Sequence, residues 1–207
     1  MSPAITDTKQ KLIDTALELI WKSSYGSVSV DDICKAAGVK KGSFYYFFPS
    51  KVDLAIAAME ESHKHLKSVY DGVFSAGTDA SSRFERLADF VYESQAEIAG
   101  RYGKVCGCPC ASLGSEMAGQ EAGIRQKFDD LAHRQERYFE SALRDMIADG
   151  ILPHSMDVKA KAQEIYAYLL GQMMIARIQN DLEPLKRDLK KGLLRLLGMT
   201  GDASEAA

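Results

Sequence analysis

Three of the four cysteines in this 207-residue chain fall inside one pentapeptide, Cys106-Gly107-Cys108-Pro109-Cys110. Thiols that dense can pack as small apolar groups at the edge of a pocket, react with an oxidant or electrophile, or bind a soft metal. Pro109 suits the first residue of a helix, which makes Cys108 its N-cap. A thiol at a helix N-terminus, with Arg101 and Lys104 just upstream, ionises more readily than a free one and suits a sensor nucleophile. Metal fits least, because Cys-x-Cys-x-Cys with no nearby His lacks the usual zinc spacing. No metal and no cofactor are therefore expected. The fourth cysteine, Cys34, is remote, so the pattern is not that of a secreted disulfide framework.

A second stretch could do chemistry of another kind. GVKKGSFYYFFPSK, residues 38–51, sets four aromatic rings behind two lysines. The chain is acidic overall, with a formal net charge of −3, yet no Asp or Glu occurs between Ile33 and Val52, where Lys35, Lys40, Lys41 and Lys51 all lie. At about 100° per residue on a helix, Phe44, Phe47 and Phe48 share one arc, while Lys41, Gly42, Ser43, Tyr45 and Tyr46 take the rest. The phenylalanines belong inside. A tyrosine, in contrast, can stay outside and give its hydroxyl to a phosphate.

The elements that must position these residues read as helices almost throughout. Proline is scarce and apolar residues recur at intervals of three and four. A first helix covers roughly 7–23, with Ile13, Ala16, Leu17 and Ile20 on one face. Ser29 caps a short second helix, with Asp31 and Asp32 in its first turn and Ser29-x-x-Asp32 in capping-box spacing. Gly38 supplies a turn, and a third helix runs from near Lys40 until Pro49 forbids its continuation. Two short helices joined by a tight glycine turn make a helix-turn-helix. Further helices are expected over about 51–74, 83–100, from Pro109, from near Ala122 to Met146, 156–178 and 185–197. The fold class is all-α.

Enzyme chemistry is not expected. His63 and His65 are two apart and diverge by about 200° on a helix, so they cannot share a metal readily. His133 and His154 stand alone in the sequence, and there is no phosphate loop, nucleophile elbow or HExxH. No apolar run reaches the length of a membrane span, so no membrane partner and a cytoplasmic location are expected.

The run from Thr8 to Met59 resembles the DNA-binding domain of the TetR family of transcriptional regulators. The matching pieces, in order, are Ala16-Leu17-Glu18-Leu19, Ser29-Val30-Asp31-Asp32-Ile33, Ala36-Ala37-Gly38-Val39, Lys41-Gly42-Ser43-Phe44-Tyr45 and Phe48-Pro49-Ser50-Lys51. Trp21, Ser24 and Cys34 depart from common family choices without touching the contact face. The resemblance implies a three-helix DNA-binding domain over 6–66, with the helix-turn-helix at 29–48. It implies a larger helical ligand-binding and dimerisation domain over 67–200, leaving 201–207 as a disordered tail. Lys40, Lys41, Gly42, Ser43 and Tyr45 would lie near base edges in the major groove. Ser29, Tyr45, Tyr46 and Lys51 would hold phosphates. No arginine precedes Arg83, so guanine reading would fall to Lys40 or Lys41. Gly107-Cys108 followed by Leu113 and Glu116 is similar to a family segment that borders the ligand cavity.

The function that follows is a homodimeric repressor of a palindromic operator on double-stranded DNA, released by a small-molecule effector. The alternative is a redox- or electrophile-sensing helical dimer acting through Cys106, Cys108 and Cys110, with or without DNA binding.

Overall fold

The computed structural model describes residues 3–199, with side chains from residue 7 onward, and the tail expected at 201–207 lies outside the described residues. Among the described residues there are nine α-helices and no strand: α1 (Pro3–Lys22), α2 (Val30–Ala37), α3 (Lys41–Phe47), α4 (Lys51–Val73), α5 (Ala80–Tyr102), α6 (Pro109–Met117), α7 (Ala122–Ala148), α8 (Val158–Gln179) and α9 (Glu183–Leu196). Each expected helix is present. α5 starts three residues earlier than expected, at Ala80, because the Asp79 carboxylate caps it, accepting from the Ser82 N–H at 3.0 Å. Similarly, Asp157 caps α8 by accepting from the Ala160 N–H, so that helix opens at Val158. No helix among the described residues is long and apolar enough to cross a membrane.

The helices form two compact units. The first takes residues up to Ser68 together with Cys108–Leu131, and the second takes Val69–Gly107 with the residues from Ala132 onward. The first unit is built on Leu12, Ala16, Ile33, Phe44, Leu54 and Ile124, joined by Leu113 from α6. α1 packs against α2, α3 and α6. Burial of each large side chain there contributes about 1.5–3 kcal/mol, which lets a seven-residue helix such as α3 persist although it is too short to be stable alone.

The second unit has an aromatic centre. Tyr70, Phe74, Phe84, Tyr138 and Phe139 interlock with ring centroids 5.4–6.2 Å apart. The Tyr138 hydroxyl donates to Asp71. Burial first, and then that carboxylate, push its pKa up to about 12. α9 packs on both α5 and α8, and the contact with α8 depends on a missing side chain. A Cβ at Gly192 would stand 1.8 Å from the Tyr168 Oη, whose hydroxyl donates to the Asp188 carbonyl at 3.1 Å. Gly192→Ala is expected to destabilise the fold by about 1–3 kcal/mol, overpacking outweighing the gain in helix propensity. Thermal unfolding checks this, since an unchanged or raised Tm would show that Tyr168 swings aside at no cost.

Candidate nucleic-acid interface

The helix-turn-helix is assembled by local chemistry. Ser29 caps α2 in a reciprocal box: its Oγ accepts from the Asp32 N–H at 3.1 Å, while Asp32 Oδ2 accepts from the Ser29 N–H at 2.9 Å. The Ser29 hydroxyl, donating to Asp32 Oδ2 at 2.5 Å, and then the Ser29 N–H hold the Asp32 pKa below the ordinary carboxylate value. Gly38 ends α2 at φ 67°, a left-handed conformation that disfavours any Cβ, and its N–H closes on the carbonyls of Cys34 and Lys35. Lys40 then resumes extended backbone, and α3 runs until Phe48, just before Pro49.

α3 sorts its rings by face. Phe44 is fully buried, Phe48 is 4% exposed and Phe47 is partly buried, whereas Tyr45 and Tyr46 are 52% and 73% exposed. Phe44 braces Tyr45 edge-on at 5.1 Å, and Phe47 braces Tyr46 at 4.8 Å. Lys40, Lys41 and Gly42 are exposed beside them and Ser43 is half-buried. The two lysines are not equivalent. Lys41 is paired with Asp31 of α2 at 2.9 Å, and this hydrogen bond and charge raise its pKa. Lys40 has no ion-pair partner among the described residues. A Cβ added at Gly42 would meet nothing within 4 Å.

Two connections in the first unit escape sequence reading. Lys51, expected on phosphate, donates its ammonium to the Tyr25 carbonyl and sits 3.8 Å from the centre of the Tyr25 ring. Burial pulls the Lys51 pKa below the ordinary lysine value, opposed by Glu116 and Asp32. Glu116 of α6 in turn accepts from the N–H groups of Tyr25 and Gly26, at 2.9 and 2.7 Å. The carboxylate lies so close that a Cβ at Gly26 would stand 2.9 Å from it. One loop between α1 and α2 is thus held by α4 through Lys51 and by α6 through Glu116. No local signal announces bonds spanning 90 and 91 residues.

The three clustered cysteines part company at the boundary between the units, which falls after Gly107. Cys106 is 1% exposed in the second unit, in a segment pinned on all sides. There Gly107 exchanges hydrogen bonds with the Gln95 amide at 3.0 and 3.3 Å, Arg177 donates to the Cys106 carbonyl, and Asn180 accepts from the Val105 N–H. Cys108 and Cys110 open α6 in the first unit and are both partly exposed. Cys108 is the N-cap, its Sγ accepting from the Ala111 N–H at 3.5 Å. The two thiols are hydrogen-bonded to each other, which is the first cause of a Cys108 pKa lowered to about 7 and of a Cys110 pKa raised well above the ordinary thiol value. Cys34, by contrast, is buried, and burial pushes its thiol up. Among the described residues no group of three or more His, Cys, Asp or Glu could hold a metal ion.

Known proteins carry the same architecture. Residues 12–58 match the family model described as bacterial regulatory proteins, tetR family, and residues 83–191 match the tetracyclin repressor-like C-terminal domain. The transcriptional regulator AcuR of Cereibacter sphaeroides is 30% identical over 89% of this chain and 83% of its own length. The HTH-type transcriptional repressor NemR of Escherichia coli strain K12 is 25% identical over 88% of this chain and 90% of its own. The crystal structure of a regulatory protein TetR from Rhodobacter sphaeroides superposes with a TM-score of 0.78 and 28% identity, covering 91% of this chain and 96% of that one. With both of its domains matched and a 30% identical relative spanning most of its length, this chain belongs to the TetR family of bacterial transcriptional regulators.

Proposed function

We propose that the chain is a homodimeric repressor that binds a palindromic operator and leaves it when a small-molecule effector binds. As a TetR-family regulator it is not an enzyme. The observation that carries the DNA reading is the outer face of α3, where two braced phenols, two lysines and an open glycine are presented together. Residues 6–66 do the reading, and 67–200 take the effector and the partner copy. NemR, named a repressor, supports repression over activation.

In this reading Lys40 reads guanine, since Lys41 is already held by Asp31. Lys41, Ser43 and Tyr45 lie beside it in the major groove, while Tyr46 and the capped start of α2 at Ser29 meet phosphates. Lys51 acts at one remove by fixing the α1–α2 loop. Release follows from population shift: an effector favours a spacing of the two α3 copies that no longer matches successive major grooves.

Gly42 gives the sharpest test. Alanine there meets nothing inside the protein, and the change should stabilise the helix by roughly 0.5–1 kcal/mol. If the gap exists to admit DNA, Gly42→Ala raises or preserves Tm while operator affinity falls about tenfold or more. The measurement is titration of a fluorescent duplex from the DNA beside the gene, at two salt concentrations. Full affinity in the alanine variant, or no salt-sensitive binding by the parent protein, would overturn the reading.

A further inference from the structure

Arg83 is 4% exposed, and a guanidinium taken out of water needs acceptors for all its N–H groups. Two atoms have them: Nε donates to the Thr78 carbonyl at 3.1 Å and Nη1 to Asp145 Oδ2 at 2.5 Å. Nη2 has no partner among the described residues, yet it is not sealed off by protein. Arg83 lines a cavity of about 380 Å³ formed by the α4–α5 turn, the start of α5 and the end of α7, all within the second unit. That volume is in the range of small-molecule sites. The cavity stays open because its other walls are small: Ala76, Gly77, Ala80 and Ala148.

Asp79, Asp145 and Asp149 line the same cavity. Asp145 meets Arg83 through one oxygen. Asp79 commits Oδ2 to the first turn of α5, accepting from the Ser81 and Ser82 hydroxyls and the Ser82 N–H, which leaves Oδ1. Asp149 stands one turn beyond Asp145, exposed, and its carboxylate has no partner among the described residues. It follows the last residue of α7, where the helix dipole favours a cation. The lining side chains therefore carry two more negative charges than positive ones. The described residues offer no group of three or more ligands that could hold a metal ion, so the charge calls for an organic cation. A plain diamine would still leave Arg83 Nη2 without an acceptor.

We infer that this cavity binds an amino acid with a basic side chain. The ligand carboxylate accepts from Arg83 Nη2 in a charge-assisted bond, and the two ligand cations go to Asp79 and Asp149. One anion and two cations then meet one unmatched donor and two carboxylates that have acceptor capacity left. A neutral zwitterion satisfies the donor but brings no net charge to an acidic site, whereas a diamine brings charge but no acceptor. Once bound, such a ligand ties the cap of α5 to the end of α7 inside the second unit. The inference does not depend on the DNA-binding reading, because its readout is binding itself.

The experiment is isothermal titration of the full chain at low ionic strength with L-lysine and L-arginine, and with three compounds that each lack one group of L-lysine. Cadaverine has no carboxylate, 6-aminohexanoate no α-ammonium and L-norleucine no side-chain ammonium. The expected result is saturable binding of at least one of the two basic amino acids at one per chain, with each truncated compound weaker than L-lysine by about tenfold or more. Asp149→Asn, at an exposed position, should weaken that binding about tenfold while the Tm of the unliganded chain stays the same. Arg83→Lys keeps the charge but loses the planar fork, and should bring L-lysine down to the affinity of cadaverine. If that variant does not fold, the truncated compounds and Asp149→Asn decide the matter. No saturable binding of either basic amino acid, cadaverine binding as well as L-lysine, or an Asp149→Asn chain that binds like the parent would overturn the inference.

Discussion

Phe44→Ala is expected to cost about 3–5 kcal/mol and to take DNA binding with it, whereas Tyr45→Ala, on the exposed side of the same helix, is expected to leave Tm nearly unchanged and weaken operator binding alone. The two rings are neighbours in sequence and pack edge to edge at 5.1 Å, so the contrast isolates the role of the face. Phe44 is fully buried and belongs to the same cluster as Leu12, Ile33 and Leu54. Its removal opens a cavity beneath α2 and α3 together, in a unit too small to close around it. Tyr45 is half exposed, and its truncation removes little buried surface. Urea unfolding followed by duplex titration separates the effects. Equal losses of stability from the two substitutions would show that the exposed tyrosine is structural and leave the interface without its central phenol.

That contrast was legible in the sequence because everything that fixes it is local. The capping box at Ser29, the left-handed turn at Gly38 and the stop at Pro49 bracket two short helices, and a period of 3.6 then assigns every ring to a face. The same holds for Cys108 as the cap of α6, since Pro109 fixes the start of that helix. What could not be read was anything joining distant segments. The Asp31 carboxylate that holds Lys41 lies across the turn, and a period within one helix says nothing about a pair between helices. Glu116 and Lys51 converge on Tyr25 only because α4 and α6 pack into the first unit. Burial within the cysteine cluster was equally out of reach: Cys106 is 1% exposed, while Cys108 and Cys110, which open α6, are partly exposed.

α8 shows why periodicity fails when a helix is apolar all round. Ile165, Leu169 and Ala176 are buried within the second unit. A second stripe, Ala167, Gly171, Ile175 and Ile178, is spaced at i, i+4, i+8 and i+11 and faces out. Ile175 is 47% exposed and Ile178 78%, among the few large apolar side chains left uncovered. Small residues at 167 and 171 would let a second helix approach closely. In the proposed homodimer this stripe is what the partner copy covers. An isologous interface counts every substitution twice, so a carboxylate costing about 2 kcal/mol per copy weakens dimerisation by about 4 kcal/mol, roughly a thousandfold. Ile178→Glu is therefore expected to turn a dimer into a monomer at micromolar concentration, measured by sedimentation velocity. Operator affinity should collapse with it, because one short recognition helix meets too few bases alone. Ile151→Glu, equally drastic in chemistry but placed at a 41% exposed site in the α7–α8 connection, should leave the dimer intact. A monomer from both variants would point to misfolding. A dimer from both would move the pairing surface away from this face of α8.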